Sequence, residues 1–171
     1  MRKSSVKVFG HPVHTILIVF PLGLLATAVI FDVAYLATGT AYLSEVAYCM
    51  IVAGLLGGLV AAPFGLLDWL AIPAGTRAKR IGALHGMGNA IVVLLFVVSW
   101  YVRSRAAGPP AALAYVFSFL GVGLALWTGW LGGELVNRLG VGVDAGAHVN
   151  APSSLSGRPA RESVSVLQRD E

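Results

Sequence analysis

The sequence predicts an all-α integral membrane protein, a bundle of four transmembrane helices. Of its 171 residues, 57% are hydrophobic and only 12% are charged, a composition that is unusual for a soluble domain. The apolar residues fall into four blocks, each long enough to cross the roughly 30 Å hydrocarbon core as a helix. Because the basic residues flank these blocks, membrane topology explains the net charge of +4, and no nucleic-acid partner is expected.

The four predicted spans cover about residues 12–36, 42–70, 81–102 and 111–137, within a membrane domain of residues 12–143. Pro21 and Pro63 lie inside the first two spans and are expected to bend them. The first span is expected to be retained, because its apolar run is longer than that of a signal peptide. Small residues share one face of the second span, where another helix can pack closely: Gly54, Gly58, Ala61 and Gly65.

Lysine and arginine predict the orientation of the bundle. One side of the membrane receives the basic residues of the N-terminus, of residues 72–80 and of the C-terminal segment, whereas the other side receives only Arg103 and Arg105. The positive-inside rule places both termini in the cytoplasm, in a cell inner or plasma membrane. Residues 1–11 are predicted to be a short cytoplasmic segment, and residues 144–171, poor in apolar side chains, a disordered cytoplasmic tail.

With this topology, every span brings titratable side chains to the cytoplasmic end of the bundle. His11 and His14 lie at the start of the first span, His85 near the start of the third, and Asp68 and Glu134 near the ends of the second and fourth. Ionisable residues inside spans are energetically costly and usually mark a binding site or a pathway. The sequence therefore predicts a polar site at this end.

Each of these residues also has a simpler interpretation. A single histidine in such a position is more often a hydrogen-bonded interface residue than a ligand. Asp68 could pair with Arg80, and Glu134 with Arg138, as ordinary ion pairs at the headgroup level. The convergence of two histidine-bearing and two acid-bearing spans favours a shared site over these separate explanations.

A second polar pair is predicted at the opposite end. Asp32 follows His14 by five helical turns, about 27 Å along the same face, and lies level with Arg103. A salt bridge between Asp32 and Arg103 is the simpler expectation. A proton or ion path between the two ends is the alternative.

Haem b is the first cofactor hypothesis. A haem in a helix bundle needs imidazole ligands on two different helices at similar depth, and His14 and His85 meet this condition. His11 and Asn89, which lies one turn after His85, complete this candidate cofactor site. Nearby glycines would leave room for the macrocycle: Gly82, Gly86, Gly88, Gly132 and Gly133.

Two other hypotheses stand beside haem. The first is a divalent metal, zinc, iron or manganese, held by nitrogen and oxygen ligands from His11, His14, His85, Asp68 and Glu134. The second has no cofactor and makes the polar layer the vestibule of a small transporter or a structural network. Because the chain has one cysteine, an intrachain disulfide and a thiolate metal cage are both excluded.

Several motifs occur in a fixed order along the membrane domain. They are His11-Pro12-x-His14, Gly65-x-x-Asp68, His85-Gly-x-x-Asn89, and Gly129-Trp-x-Gly-Gly-Glu134 followed by Gly140-Val-Gly-Val. In this combination the chain resembles the bacterial four-helix membrane proteins called domain of unknown function 2231, over about residues 10–144. The resemblance implies a membrane fold with no settled activity. Some members are joined to a Rieske iron–sulfur domain, which implies a redox neighbourhood and a Rieske-type partner.

The sequence thus predicts a multi-pass membrane protein that binds haem b or a metal at its polar end and takes part in electron transfer. The alternative is a cofactor-free transporter or structural membrane protein. The expected partners are the lipid bilayer, a redox protein and a further copy of the chain.

Overall fold

The computed structural model describes residues 6–163, most of which are helical. A short hairpin of β1 (Lys7–Val8) and β2 (His11–Pro12) comes first. Five helices follow: α1 (Val13–Leu17), α2 (Val19–Thr38), α3 (Ala41–Ala71), α4 (Arg77–Ser104) and α5 (Ala112–Gly133). A π-helical turn (Glu134–Arg138) continues α5, and a 3-10 turn covers Ser154–Ser156.

The predicted four-span fold is confirmed. Among the described residues, four helical stretches are long and apolar enough to cross a membrane: Val13–Thr38, Ala41–Ala71, Arg77–Ser104 and Ala112–Arg138. Much of the large apolar surface lies on the outside of the bundle, as is required where lipid replaces water as the solvent. The cytoplasmic placement of the termini stays a prediction.

The helices form a closed ring around a central axis. Close backbone packing joins α2 to α3, α3 to α4, α4 to α5, and α5 back to α2, so that α2 lies opposite α4. The closest packing occurs within the two helical hairpins, α2–α3 and α4–α5. The centre of the ring is filled by buried apolar residues from three helices: Leu25, Ala28, Ile51, Leu55, Val92 and Phe96.

The two prolines inside spans have different outcomes. Pro21 has no amide hydrogen to bond the carbonyl of Leu17, and the first span is interrupted at Ile18, where α1 gives way to α2. By contrast, α3 continues through Pro63 as one helix. The bend expected in the first span therefore has a counterpart in the structure.

The third span begins four residues earlier than predicted. Arg77, Lys79 and Arg80 were expected in a loop or frayed turn before the span. They form the first turn of α4 instead, because the Thr76 hydroxyl caps the helix by accepting the Lys79 amide at 3.1 Å. Lys79 is anchored further, since its Nζ donates to the Trp69 carbonyl at 2.7 Å and lies 3.9 Å from the centre of the Trp69 ring.

The terminal segments meet beside the first helix. In the β1–β2 hairpin, Phe9 and Gly10 both have positive φ angles, of 50° and 84°, which is the backbone geometry of a type I′ turn. Lys7 Nζ pairs with Asp144 at 2.6 Å, and the Ser154 hydroxyl donates to the Phe9 carbonyl at 3.0 Å. The disorder predicted for residues 144–171 stays a prediction, and residues 164–171 lie outside the described residues.

Candidate functional site

His14 projects from α1 and is fixed within its own hairpin. Its Nδ1 lies 3.1 Å from the carbonyl oxygen of Ala61 on α3. Because a carbonyl only accepts, Nδ1 carries the proton of this hydrogen bond, and the carbonyl does not engage Nε2. Gly65 lies one turn after Ala61 on α3. Its lack of a side chain leaves room for the His14 ring, since a Cβ there would lie 2.7 Å from Cε1 of the ring.

His85 is held in an equivalent way in the second hairpin. Its Nδ1 lies 2.8 Å from the carbonyl oxygen of Thr128 on α5, so this ring too is protonated at Nδ1. Asn89 Nδ2 lies 3.2 Å from His85 Nε2, and the Thr128 hydroxyl donates to Asn89 Oδ1 at 3.1 Å. Both nitrogens of His85 are thus bound, as is usual for a polar group between membrane helices.

The two rings meet across the bundle. Their centroids are 6.5 Å apart and their planes are nearly perpendicular, at 89°. The prediction that His14 and His85 lie at one level is therefore correct. The rings differ in one respect: within residues 6–163, Nε2 of His85 accepts from Asn89, whereas no hydrogen bond reaches Nε2 of His14. His14 is thus the more available ligand.

Both predicted acids have interaction partners. Glu134 Oε2 accepts from Arg77 at 2.8 Å, so this acid forms an ion pair, although its partner is not Arg138, the alternative considered from the sequence. The reason is local: α5 changes to a π-helical turn at Glu134, and Arg77 belongs to the first turn of α4. Asp68 is half-buried near the end of α3 and is also engaged by neighbouring groups.

His11 lies apart from the histidine pair. It is exposed on β2 and lines a cavity of about 450 Å³ between the N-terminal hairpin and the C-terminal segment. Among residues 6–163, no group of three or more His, Cys, Asp or Glu side chains could hold a metal ion. The five predicted metal ligands therefore do not converge in this structure. The β1–β2 hairpin carries His11 to the surface, and Arg77 pairs with Glu134.

The expected room around the pair is only partly present. Gly82 packs against Trp69, whose Cδ1 would lie 2.8 Å from an added Cβ, and Gly88 packs tightly against Thr128. These two glycines permit close helix packing and leave no space for a ligand. Gly86 faces open space, and a Cβ on Gly132 would lie 3.2 Å from Cε1 of His85.

At the other end of the bundle, the predicted salt bridge between Asp32 and Arg103 is confirmed. Arg103 donates to both carboxylate oxygens, at 2.9 and 2.6 Å, and both residues are buried. Arg103 also donates to the hydroxyls of Ser99 and Ser118, at 3.2 and 3.3 Å. Between this pair and the histidines lies the apolar core, which separates the two polar ends.

Three polar residues of these networks were missed from the sequence: Ser99, Ser118 and Thr128. Small hydroxyl residues inside apolar helices often bond their own backbone, so they give no distinct signal. The sequence did contain one signal that relates the first and third spans, the equal spacing of their polar residues. Asp32 follows His14, and Arg103 follows His85, by the same number of residues.

The comparison with family models identifies the relatives of the chain. Residues 10–145 match the family described as predicted membrane protein (DUF2231), and the chain belongs to this family. No curated protein and no solved structure matches the chain.

Proposed function

We propose that this member of the DUF2231 family binds one haem b group between His14 and His85 and carries electrons in the membrane. The observation that supports this proposal most is the facing pair of imidazoles, one from each helical hairpin, with their centroids 6.5 Å apart. Each ring is held at Nδ1 by a backbone carbonyl, the arrangement by which proteins orient metal-binding histidines and leave Nε2 for the metal.

The number of available ligands favours haem over a bare metal ion. A zinc site usually takes three or four protein ligands, and no such group occurs among the described residues. A haem brings most of the ligands of its iron with it, so that two histidines would be enough to hold it. His14 and His85 would supply these two ligands.

The two rings also lie close to each other, with centroids 6.5 Å apart, so that both could hold one group. Gly65 and Gly132 lie against the two rings, so α3 and α5 present backbone atoms and no side chain at these positions.

The residues around the pair have defined tasks in this proposal. The carbonyls of Ala61 and Thr128 fix the proton of each imidazole on Nδ1. His85 would hold the haem through Nε2, the nitrogen that lies 3.2 Å from Asn89 Nδ2 in this structure. When bound, haem supplies one-electron chemistry, and the protein supplies axial ligands and an apolar surrounding.

The location and partner belong to the same proposal. The distribution of lysine and arginine supports a cell inner or plasma membrane with both termini in the cytoplasm. The family resemblance supports a Rieske-type protein as the redox partner. Both statements are open to test by topology reporters and by co-purification.

A second candidate function has its own observation. Both nitrogens of His85 are already bound, to Thr128 and Asn89, without any ligand. Such a closed network would serve a structural role, or the vestibule of a cofactor-free transporter. In this case His85 would hold α4 against α5 and no haem would bind.

A reduced-minus-oxidised absorbance spectrum separates the two candidates. The protein is produced in haem-supplied cells and purified in mild detergent, together with His14→Ala, His85→Ala and His148→Ala. We expect a low-spin spectrum in the wild type that each of the first two variants abolishes. The exposed His148 is a matched control that should leave the spectrum unchanged. A wild type without Soret and α bands would contradict the haem proposal and leave the cofactor-free role.

A further inference from the structure

The first helices of the two hairpins repeat the same buried positions. Each of the four buried residues of α2 has a buried counterpart on α4, 71 positions later in the sequence. His14 and His85 have the same separation. The matched pairs are Pro21 and Val92, Leu25 and Phe96, Ala28 and Ser99, and Asp32 and Arg103.

The second helices repeat in the same way. Four of the five buried residues of α3 recur as buried residues of α5 at a constant separation of 67 positions. The separation is smaller by four because 14 residues lie between Asp32 and Ala47, whereas ten lie between Arg103 and Ala114. The matched pairs are Ala47 and Ala114, Ile51 and Ser118, Gly54 and Gly121, and Ala61 and Thr128.

Contacts within the hairpins repeat along with the positions. An added Cβ would lie 2.7 Å from Leu25 at Gly54, and 2.7 Å from Phe96 at Gly121. Each histidine is bound by the carbonyl at the matched position of the second helix, Ala61 or Thr128. Each ring also lies against the glycine one turn later, Gly65 or Gly132. The repeat therefore includes tertiary contacts as well as hydrophobic periodicity.

We infer that the two hairpins are copies of one unit, related by an approximate two-fold axis along the bundle, and that the inner face of each hairpin is a docking surface for the other. On such an axis, equivalent residues meet each other. His14 meets His85, and Asp32 meets Arg103, between the first and third spans, which lie opposite each other. Contact between equivalent positions is the mark of an isologous interface.

With this axis, the Asp32–Arg103 pair also favours the association of the first hairpin with the second over the association of two identical hairpins. Two copies of the first hairpin would bury two carboxylates against each other, and two copies of the second would bury two guanidinium groups. Like charges in a buried interface are strongly unfavourable. Ser99 and Ser118, which bind Arg103, correspond to Ala28 and Ile51, so the hydroxyls occur only on the arginine side.

The axis also restricts the ligand of the histidine pair, a step that rests on the proposed haem function. A site made of two equivalent halves takes one ligand per chain, with two equivalent faces. Titration of the detergent-purified protein with haem should therefore end at one haem per chain. An end point of two per chain would exclude a shared site on the axis.

The test of the repeat moves the charge network to its matched positions in the full-length protein. The first variant exchanges only the charges, Asp32→Arg with Arg103→Asp. The second adds the hydroxyl exchange, Ala28→Ser, Ile51→Ser, Ser99→Ala and Ser118→Ile. Thermal unfolding in detergent is followed by tryptophan fluorescence, without added haem, so the result does not depend on haem binding.

We expect the charge-exchange variant to have a lower Tm than the wild type, and the variant with all six substitutions to regain at least half of that loss. If the variant with six substitutions has a Tm equal to or below that of the charge-exchange variant, the inferred repeat is overturned. If neither variant folds, the exchange Leu25→Phe with Phe96→Leu tests the same symmetry in the apolar core. The double variant should melt above the less stable of its two single variants, and a double variant below both would contradict the inference.

Discussion

The two ends of the bundle each bring together two polar side chains of the first and third spans, but these side chains differ in how completely their polar atoms are bound. Asp32 and Arg103 are 0% and 5% exposed and share two hydrogen bonds, with Ser99 and Ser118 binding the rest of the guanidinium group. His14 and His85 are half-buried, and each is bound within its own hairpin.

This difference separates a structural pair from a candidate site. A buried charge is tolerated only when its partners are complete, which leaves no capacity for a ligand. Nε2 of His14 has no hydrogen bond among residues 6–163, so it retains capacity for a ligand. We therefore expect substitutions at the first end to affect folding, and substitutions at the second to affect binding.

Removal of Arg103 should have the largest effect on stability. Arg103→Leu leaves the buried Asp32 carboxylate without its partner, and we expect a loss of about 3–5 kcal/mol, measured as thermal unfolding and loss of monodisperse protein in detergent. The control is Asp32→Leu with Arg103→Leu, which removes both charges and should recover most of the loss. A double variant as unstable as the single one would show that burial of the lone charge is not the cause.

A methyl group at Gly65 should have a smaller effect, located at the histidine end. In Gly65→Ala the new Cβ would lie 2.7 Å from His14, so the ring must move. Overpacking of this kind costs about 1–3 kcal/mol. Gly86→Ala is the matched control, because its Cβ meets open space. Equal melting temperatures for the two variants would contradict the close packing of His14 on α3.

Loss of the Thr128 hydroxyl should cost less again. Thr128→Val keeps the shape of the side chain but removes the donor to Asn89, and interhelical hydrogen bonds in membrane proteins contribute on average about 0.6 kcal/mol. Thermal unfolding in detergent should show a small decrease. A decrease as large as that of Arg103→Leu would mean that this network, too, is structural.

The smallest effect is expected at the exposed ion pair of Arg77 and Glu134. The Arg77 side chain is 53% exposed, and ion pairs of this kind contribute less than about 1 kcal/mol. Arg77→Ala should leave the melting temperature within about a degree or two of the wild type at physiological salt. A larger decrease would contradict the interpretation of this ion pair as solvent-screened.

Much of the fold could be predicted from the sequence because membrane spans follow from length and hydropathy alone. Asp32 was matched to Arg103, and His14 to His85, from helical rise and topology, and both pairs meet in the structure. The start of α4 was missed because three basic residues close together are typical of a loop between spans. The Thr76 cap, a local signal, was available in the sequence.

The rest depended on tertiary contacts that no local pattern indicates. His11 was placed with His14 by proximity in sequence, but the β-hairpin carries it to the surface. Arg138 was the alternative partner of Glu134 by the same reasoning, but Glu134 begins a π-helical turn and pairs with Arg77. The carbonyls of Ala61 and Thr128 bind the histidines through backbone atoms, which leave no mark on side-chain identity.

One measurement tests the contrast between the two ends most directly. The reduced-minus-oxidised spectrum is recorded for the wild type, His14→Ala, and the double variant Asp32→Leu with Arg103→Leu, each purified as folded protein. We predict a low-spin haem spectrum in the wild type and in the double variant, and none in His14→Ala. A spectrum that persists in His14→Ala, or that is absent from the wild type, would contradict the assignment of the histidine pair as a haem site.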